Sequence, residues 1–234
     1  MDKTLTFHQI IFKEEQRGHC YPFAKVYFND TLTDYFENDV IARLVPQSEA
    51  DYISVCSWRL KQKRSESSTP LVLKHDLELS EKKILSADFD VAILTPRRPT
   101  FRPLDMASNW HGKVWDEAFK VFVNDFLKPL GIMVPDISKD EDLNHTIHEN
   151  HFIARNGIYQ MYVGYCLKPA IDFMCERPAV FGVDSGYVHK KRDLKEIKEY
   201  QQKSGRQDWP IGVFILERLF SIWINDKNFN VINL

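Results

Sequence analysis

The sequence predicts an α/β fold, in which a sheet carries helices on its faces. Two observations support this prediction. Short runs rich in β-branched and aromatic residues alternate along the chain with longer segments whose apolar residues recur at helical spacing. The 234 residues are also 44% hydrophobic and include 16 Phe, 9 Tyr and 5 Trp, which is enough apolar surface for a sizeable core. We expect one domain spanning residues 1–234.

Strands and short helices are predicted in the first half of the chain. The predicted strands are Thr4–Phe12, Phe23–Phe28, Asp51–Ser57 and Phe89–Thr95. A first helix is expected after Thr33, a suitable N-cap, and a second over Ser80–Ala87. Residues 58–70 turn basic and then serine-rich, and Pro96–Pro103 contains three prolines, so both segments are predicted to be loops.

The second half is predicted to be mainly helical. The predicted helices are Lys113–Leu130, Gly157–Cys175 with a break near Pro169, the charged Asp193–Lys203, and the apolar Val213–Ile224. Strands are expected at Phe152–Ala154 and Asn228–Leu234. The acidic, polar segment Asp136–Glu149 is predicted to be a loop that closes over substrates as a lid.

Composition excludes several classes of protein. With 31 basic and 33 acidic residues the net charge is −2, which disfavours general coating of nucleic acid. The four cysteines form no C-x-x-C pair, so neither a zinc knuckle nor a disulfide framework is expected. The chain has no apolar leader and no run of 18 apolar residues, and we therefore expect a cytoplasmic protein. No G-x-G-x-x-G or P-loop pattern follows a predicted strand.

Basic residues follow two predicted strands at the point where each strand ends. They are Arg59, Lys61, Lys63 and Arg64, next to Trp58, after the third strand, and Arg97, Arg98 and Arg102 after the fourth. If these strands are parallel neighbours, both segments meet at one end of the sheet, where open α/β sheets bind ligands. Guanidinium and ammonium groups there suit a diphosphate, and Trp58 could stack on a base or sugar. The alternative is a solvated basic loop.

The triplet Asp88-Phe89-Asp90 has the D-x-D spacing by which many glycosyltransferases hold a divalent cation, Mn²⁺ or Mg²⁺, against a nucleotide diphosphate. However, the apolar run follows the triplet. The two aspartates are therefore expected at the amino end of the strand, away from the ligand end, and a strand-entry turn is the alternative interpretation. His145, His148 and His151 lie in a polar, acidic context that does not favour a rigid zinc site.

Two candidate general bases stand out. Glu217 interrupts an apolar helix at the edge of its buried face, whereas Arg218 is expected on the opposite, more polar side. His111, in Asn109-Trp110-His111, titrates near neutral pH and could also accept a proton. The alternatives are a structural salt bridge for Glu217 and a capping or packing role for His111.

Several segments resemble bacterial glycosyltransferases of capsular and lipopolysaccharide synthesis. The segments are YFENDVIARLV, DYISVCSWRLKQK, ENHFIARNGIYQMYV and FILERLFSIWI, the last with Gly212 ahead of Glu217, Arg218 and Leu219. The resemblance implies a GT-A-like fold with a mixed, mostly parallel sheet flanked by helices. It also implies a nucleotide-sugar donor and a glycan or lipid-linked acceptor. Asn150, Phe152, Glu217 and Arg218 occupy the recognisable positions. Asn109, outside these segments, is a separate candidate for substrate binding.

The leading hypothesis is therefore glycosyl transfer, with Glu217 or His111 as the base if the reaction inverts the anomeric centre. Metal dependence stays open, because the D-x-D lacks the usual preceding strand and a metal-free site built from Arg97, Arg98 and Lys61 is an alternative. Transient docking on a membrane also stays open. A non-catalytic scaffold of a polysaccharide-assembly complex is the second hypothesis. A hydrolase lacks support, since no G-x-S-x-G elbow is present.

Overall fold

The computed structural model describes residues 3–29, 35–65, 79–98, 102–135, 143–147, 149–186, 198, 201–202 and 205–234. Within these residues one six-stranded sheet has the order β2-β1-β3-β5-β4-β6. The strands are β1 (Leu5–Ile11), β2 (Lys25–Phe28), β3 (Tyr52–Ser57), β4 (Val91–Ile93), β5 (Phe152–Arg155) and β6 (Val231–Asn233). β1 pairs in parallel with β2 and β3, and β4 pairs in parallel with β6. β5 is antiparallel to both β3 and β4, so the other strands share one direction.

Helices cover both faces of the sheet. They are α1 (Glu37–Leu44), α2 (Leu60–Ser65), α3 (Glu81–Ser86), α4 (Pro103–His111), α5 (Lys113–Phe122), α6 (Asn156–Tyr162), α7 (Lys168–Cys175), α8 (Pro178–Phe181) and α9 (Ile211–Asn225). Short 3-10 helices occur at Glu14–His19, Val45–Gln47 and Lys128–Leu130. No helix in the described ranges is long and apolar enough to cross a membrane.

The sheet separates two apolar cores. In β3 all six residues are buried, and alternate side chains point to opposite faces, as required of a central strand covered on both sides. Ile53 and Val55 join the larger core beneath α1, α4 to α7 and α9, whereas Tyr52 and Cys56 join the smaller core with Leu60 of α2 and Ile84 of α3. The twelve buried residues of the fifteen in α9 make it the central helix of the larger core.

Two helices widen at a π turn just before a Lys-Pro pair. α5 continues through a π turn at Val123–Leu127 to Pro129, and α6 continues through a π turn at Val163–Leu167 into α7, where Pro169 lies in the first turn. Proline cannot donate a backbone hydrogen bond, and its ring crowds the carbonyl one turn earlier. A wider preceding turn accommodates both effects, so the run from Asn156 to Cys175 continues where the sequence predicts a break.

Most of the predicted elements are confirmed, including all six strands. The helices predicted to begin at Ser80, Lys113, Gly157 and Val213 are also present, beginning at Glu81, Lys113, Asn156 and Ile211. The predicted loop over residues 58–70 is wrong in part, because α2 occupies Leu60–Ser65. Its Leu60 and Arg64 lie one turn apart and are both buried, which gives this short basic helix its tertiary contacts. The sequence patterns do not predict α4, which begins with Pro103, whose fixed φ suits a first helical position.

Other expectations fall wholly or partly on residues outside those described. They are the N-cap Thr33, residues 66–70 of the predicted loop, most of the loop Asp136–Glu149, residues 99–101 of the proline-rich segment, and most of the predicted helix Asp193–Lys203. The helix expected after Thr33 begins at Glu37, directly after Phe36, whose φ is 51°.

Candidate active site

The strands that share a direction all have their carboxyl ends on one side of the sheet, where the amino end of β5 also lies. We call this side, which runs across the strand ends and is not an edge strand, the carboxyl edge. Ser57 ends β3, Thr95 lies just beyond β4, and His151 directly precedes β5, and all three are buried. In open α/β sheets this is the edge at which ligands bind, because strand ends and helix starts leave backbone and polar groups exposed there.

Three glutamates interact electrostatically at this edge: Glu37, Glu149 and Glu217, which we call the carboxylate cluster. Glu37 is the first residue of α1, and its carboxyl group interacts electrostatically with the Ser57 side chain. The Glu37 residue is half-buried. Burial, and then the negative charges of Glu149 and Glu217, raise the pKa of Glu37 to about 8, against the opposing effects of Ser57 and Arg59.

Glu149 reaches the cluster through an unusual backbone turn. Glu149 and the buried Asn150 have φ values of 53° and 56°, in the left-handed region that residues with a Cβ rarely adopt. The Glu149 Oε1 lies 3.9 Å from Lys63 Nζ, and its Oε2 lies 3.9 Å from His151 Nε2. His151 in turn places Nδ1 3.4 Å from Thr95 Oγ1. Backbone strain of this kind is often found where side chains are held for function.

Glu217 forms an ion pair with its neighbour Arg218 on α9. Arg218 Nη1 lies 2.8 Å from Glu217 Oε2 and also donates to the carbonyl of Phe214 at 3.1 Å. The Arg218 guanidinium lies 6.0 Å from the ring centroid of the buried Trp115. Arg218, expected on the more polar side of the helix opposite its buried face, has a side chain that is only 13% exposed, less than the 25% of Glu217. α9 is buried nearly all round, so a helical wheel could not separate the two faces.

Polar side chains of α9 hold the segment that leads to Glu149. Ser221 Oγ accepts a hydrogen bond from the backbone N–H of Ile147 at 2.8 Å. The Asn225 side chain accepts from the N–H of His145 at 3.0 Å and donates to its carbonyl at 2.7 Å. Because Ser221 lies one helical turn beyond Glu217, this attachment brings the Glu149 turn toward Glu217.

His111 lies beside the same helix. Its Nδ1 is 2.9 Å from the carbonyl oxygen of Ser185, and its ring centroid is 4.4 Å from that of Phe214. A carbonyl oxygen only accepts, so Nδ1 carries a proton, and in a neutral ring Nε2 is then the nitrogen without one. His111 also stacks on Trp115 at 6.4 Å, which links it to Arg218 through one shared indole ring.

The two basic segments do reach the same edge, although their strands are not neighbours. β3 and β4 share a direction, but the antiparallel β5 lies between them. Arg64 has a structural role there, because its Nη1 donates to the carbonyls of Leu94 and Leu234 at 2.6 and 2.5 Å, beyond the ends of β4 and β6. A buried guanidinium thereby satisfies two strand-end acceptors.

The remaining predicted substrate contacts spread along the carboxyl edge. The Trp58 ring lies 5.5 Å from the ring of His19 and 5.6 Å from the Arg59 guanidinium. Lys61 and Arg98 are exposed, and Arg97 is half-buried. Their roles in substrate binding stay predictions. Asn109 is exposed on α4 and donates to Asp105 at 3.1 Å, which occupies its side chain within the same helix.

Asp88 and Asp90 lie at the opposite, amino edge of the sheet, as the order of polar and apolar residues predicts. Arg155 pairs with both, at 2.9 Å from Asp88 and 3.0 Å from Asp90. Asp90 also accepts from the backbone N–H of Asn230 at 3.0 Å. No group of three or more metal-ligating side chains is found among the described residues. Metal ligation by the two aspartates stays a prediction, and the geometry gives both a structural partner instead.

Sequence reasoning missed Glu37 and Glu149. Both lie inside segments that carry the family resemblance, YFENDVIARLV and ENHFIARNGIYQMYV, so a signal was present. The signal is not specific, because a glutamate at a helix start commonly serves only as a favourable charge at the helix dipole, and nothing in the sequence marks a left-handed backbone at Glu149.

No protein-family model matches the chain, and no curated protein matches it. Among solved structures, the apo structure of WbbM, a bifunctional glycosyltransferase, matches with a TM-score of 0.51 and 13% sequence identity. The match covers 98% of this chain and 44% of that chain, so this chain spans less than half the length of that protein. The predicted fold class is confirmed: an α/β fold with a mixed, mostly parallel sheet flanked by helices, shared with a glycosyltransferase of known structure.

Proposed function

We propose that the chain is a glycosyltransferase that moves a sugar from a nucleotide-sugar donor to a glycan or lipid-linked acceptor in the synthesis of surface polysaccharide. The observation that carries this proposal is the convergence of three carboxylates with cationic side chains at the carboxyl edge. Lys63 and Arg218 lie within 3.9 and 2.8 Å of the cluster, and the charge of Arg59 acts on Glu37. The fold shared with a glycosyltransferase supports the same class of reaction.

The reaction needs both kinds of charge. The bond from the anomeric carbon to the diphosphate oxygen breaks, and the departing diphosphate takes the electron pair. A new bond forms between that carbon and an acceptor hydroxyl oxygen, whose proton passes to a base. Cationic side chains stabilise the negative charge of the leaving diphosphate, and a carboxylate or imidazole accepts the proton.

Glu217 and His111 remain the two candidate bases. Glu217 is partly exposed, and Arg218 at 2.8 Å orients its carboxylate. In the neutral form of His111, Nε2 is the unprotonated nitrogen that would take the proton, because Nδ1 donates to the Ser185 carbonyl. Glu217→Gln is expected to retain donor binding and lose sugar transfer, as measured by product formation at saturating donor. If His111→Gln loses transfer and Glu217→Gln retains it, His111 is the base.

The first test is ligand-dependent thermal stability. The purified chain would be melted with UDP-, GDP-, CMP- and dTDP-sugars, each with and without Mn²⁺. Binding at 100 times the dissociation constant stabilises the folded state by about 2.7 kcal/mol, which is readily seen as a rise in Tm. We expect a rise with one nucleotide class. No rise with any donor, and no transfer of any sugar, would contradict the proposal and favour the scaffold hypothesis.

A second test addresses the arginines predicted to bind the diphosphate. Arg97→Ala with Arg98→Ala is expected to weaken donor binding by about tenfold or more for each arginine that binds the diphosphate, because a charged hydrogen bond is worth about 1.5–3 kcal/mol. The control is Lys82→Ala with Lys83→Ala, which removes two exposed charges from α3. Equal donor affinity in the two double variants would show that the arginines do not bind the donor.

A further inference from the structure

We propose that Glu149 is a positioning residue, which holds the ammonium group of Lys63 at the carboxyl edge so that Lys63 contacts the diphosphate of the donor. The proposal adds a residue to the proposed function and rests on it for the donor measurements. Two further measurements, one with inorganic pyrophosphate and one with no ligand, test the role of Glu149 without sugar transfer.

The two partners are held through one shared residue, Leu94, which lies just beyond β4 and is fully buried. On the side of α2, Arg64, the residue after Lys63, donates to the Leu94 carbonyl at 2.6 Å. On the side of β5, the backbone N–H of Leu94 donates to the carbonyl of His151 at 2.9 Å. Lys63 and Glu149 therefore approach each other from two segments that are both hydrogen-bonded to the same residue of the sheet.

Lys63 and Glu149 form an ion pair that is largely shielded from water. Lys63 Nζ lies 3.9 Å from Glu149 Oε1, and the two side chains are 24% and 19% exposed. On the other side of the carboxylate, Glu149 Oε2 lies 3.9 Å from Nε2 of His151, whose side chain is completely buried. Since His151 is enclosed and Lys63 is partly exposed, the lysine is the side of this group that solvent and ligands reach.

The turn that carries Glu149 is tied on both sides, so the carboxylate has a defined position. Before the turn, Ile147 donates its backbone N–H to Ser221 Oγ at 2.8 Å, and after it the His151 carbonyl accepts from Leu94. The φ of 53° at Glu149 is one that glycine adopts readily and that costs a residue with a Cβ. A charged side chain held against a cation from a strained backbone is typical of residues that serve function.

A lysine benefits from such a partner when it binds phosphate groups. Its ammonium group is a compact charge on a flexible four-carbon stem, and ordering that stem on ligand binding costs conformational entropy. A carboxylate that already holds the ammonium group lowers this cost. Protein kinases use a lysine–glutamate ion pair in this way to place a lysine on the phosphates of ATP. Lys63 has a matching position, because α2 follows β3 at the carboxyl edge and Arg64 fixes the helix there.

Inorganic pyrophosphate is the first probe, with binding to the whole chain measured by titration calorimetry. Glu149→Gln keeps the size and the Cβ of the side chain, and Lys63→Met removes the cation. Each variant is expected to weaken pyrophosphate binding by about tenfold, and the double variant is expected to bind no more weakly than Lys63→Met alone, because Glu149 acts only through Lys63. If Glu149 instead competes with the diphosphate for Lys63, Glu149→Gln binds more tightly.

Tighter or unchanged pyrophosphate binding in Glu149→Gln, additive losses in the double variant, or no binding by the wild-type chain would overturn the proposal. With a nucleotide-sugar donor, Glu149→Gln is expected to raise the donor KM by about tenfold and to change the acceptor KM less. An equal rise in both KM values would also overturn it, because a general loss of structure affects both substrates.

The ligand-free measurement is a double-mutant cycle in urea unfolding. The losses of stability in Lys63→Met and Glu149→Gln are expected to be non-additive, and their coupling is expected to shrink in about 1 M NaCl. Lys63→Met combined with Glu117→Gln, on the exposed face of α5, is the matched control and should be additive. Additive losses for Lys63 and Glu149 would overturn the proposal even if the chain transfers sugar. If the pair is coupled and Glu149→Gln weakens pyrophosphate binding but no sugar is transferred, the proposed function fails and the positioning of Lys63 stands.

Discussion

The backbone at Glu149 and Asn150 is held in a conformation that neither residue prefers. Both φ values lie in the left-handed region, and the turn directs the Glu149 side chain to Lys63 and His151. Asparagine tolerates this region better than glutamate does, so the conformational cost falls mainly on Glu149. The contacts of Ile147 and His145 with α9 fix the chain on one side of the turn, and β5 fixes it on the other.

Paired variants of Glu149 measure this strain. Glu149→Gly and Glu149→Ala remove the same carboxylate, but glycine accepts the positive φ. We expect Glu149→Gly to be more stable by about 1 kcal/mol, because the left-handed form costs a residue with a Cβ about 1–2 kcal/mol and the chain entropy of glycine offsets part of it. Urea unfolding checks the difference. Equal stabilities would mean that the turn relaxes without cost.

A buried hydroxyl offers a second test. Tyr159 is fully buried, and its hydroxyl has no hydrogen-bond partner among the described residues. Tyr159→Phe is expected to leave the free energy of unfolding unchanged or raise it, since it removes an unsatisfied polar group and keeps the ring. Tyr159→Ala, the size control, is expected to cost about 3–5 kcal/mol. A decrease of more than about 1 kcal/mol in Tyr159→Phe, on the order of a typical hydrogen bond, would show that the hydroxyl has a partner.

Among the helices, α9 does more than fill the core. Its apolar residues occupy the larger core, while Ser221 and Asn225 hold the segment before Glu149 and Glu217 joins the carboxylate cluster. The same helix therefore supplies one member of the cluster and positions another. Because α9 is almost completely buried, it has few polar residues, and each of them forms a hydrogen bond or an ion pair.

The hydrogen bonds from α9 to the segment before Glu149 predict a local change in protection from hydrogen exchange. In Ser221→Ala with Asn225→Ala, the backbone amides of His145 and Ile147 lose their side-chain acceptors and are expected to exchange hydrogen faster, with the β5 amides little changed. Hydrogen exchange read by NMR checks this. Asn124→Ala, which removes an exposed hydrogen bond with Lys128, is the control. Unchanged exchange at both amides would mean that other interactions hold the segment.

α2 and α4 show where sequence patterns fail for single elements. A six-residue helix has little stability of its own, and α2 exists because Arg64 bonds to strand-end carbonyls that lie far along the chain. α4 begins with Pro103, the last residue of a proline-rich stretch that predicts a loop. Proline is also favoured at the first position of a helix, so this residue starts α4. The long helices were predictable, because the apolar residues that mark one face of each helix all lie within its own segment of the sequence.

Considered as a whole, the sheet separates a structural edge from a candidate functional edge. Arg155 pairs with Asp88 and Asp90 at the amino edge, and the carboxylate cluster lies at the other. Asp88→Asn with Asp90→Asn is expected to cost at most about 2 kcal/mol of stability, because each of the two ion pairs is at least partly exposed and contributes about 0–1 kcal/mol, and to leave any donor-induced rise in Tm unchanged. Loss of a Mn²⁺-dependent rise would instead support the D-x-D prediction. Thermal melts with donor, with and without Mn²⁺, decide between these outcomes.

The alternation of strand and helix patterns was sufficient to predict the α/β class, the strand positions, and the placement of Asp88 and Asp90 away from the ligand edge. Glu217 and the basic segments were also found as candidates. The antiparallel direction of β5, the left-handed turn at Glu149 and the meeting of Glu37, Glu149 and Glu217 were visible only in the folded chain. Periodicity records which side of one element is apolar, whereas the approach of three distant carboxylates depends on how α1, β5 and α9 pack together.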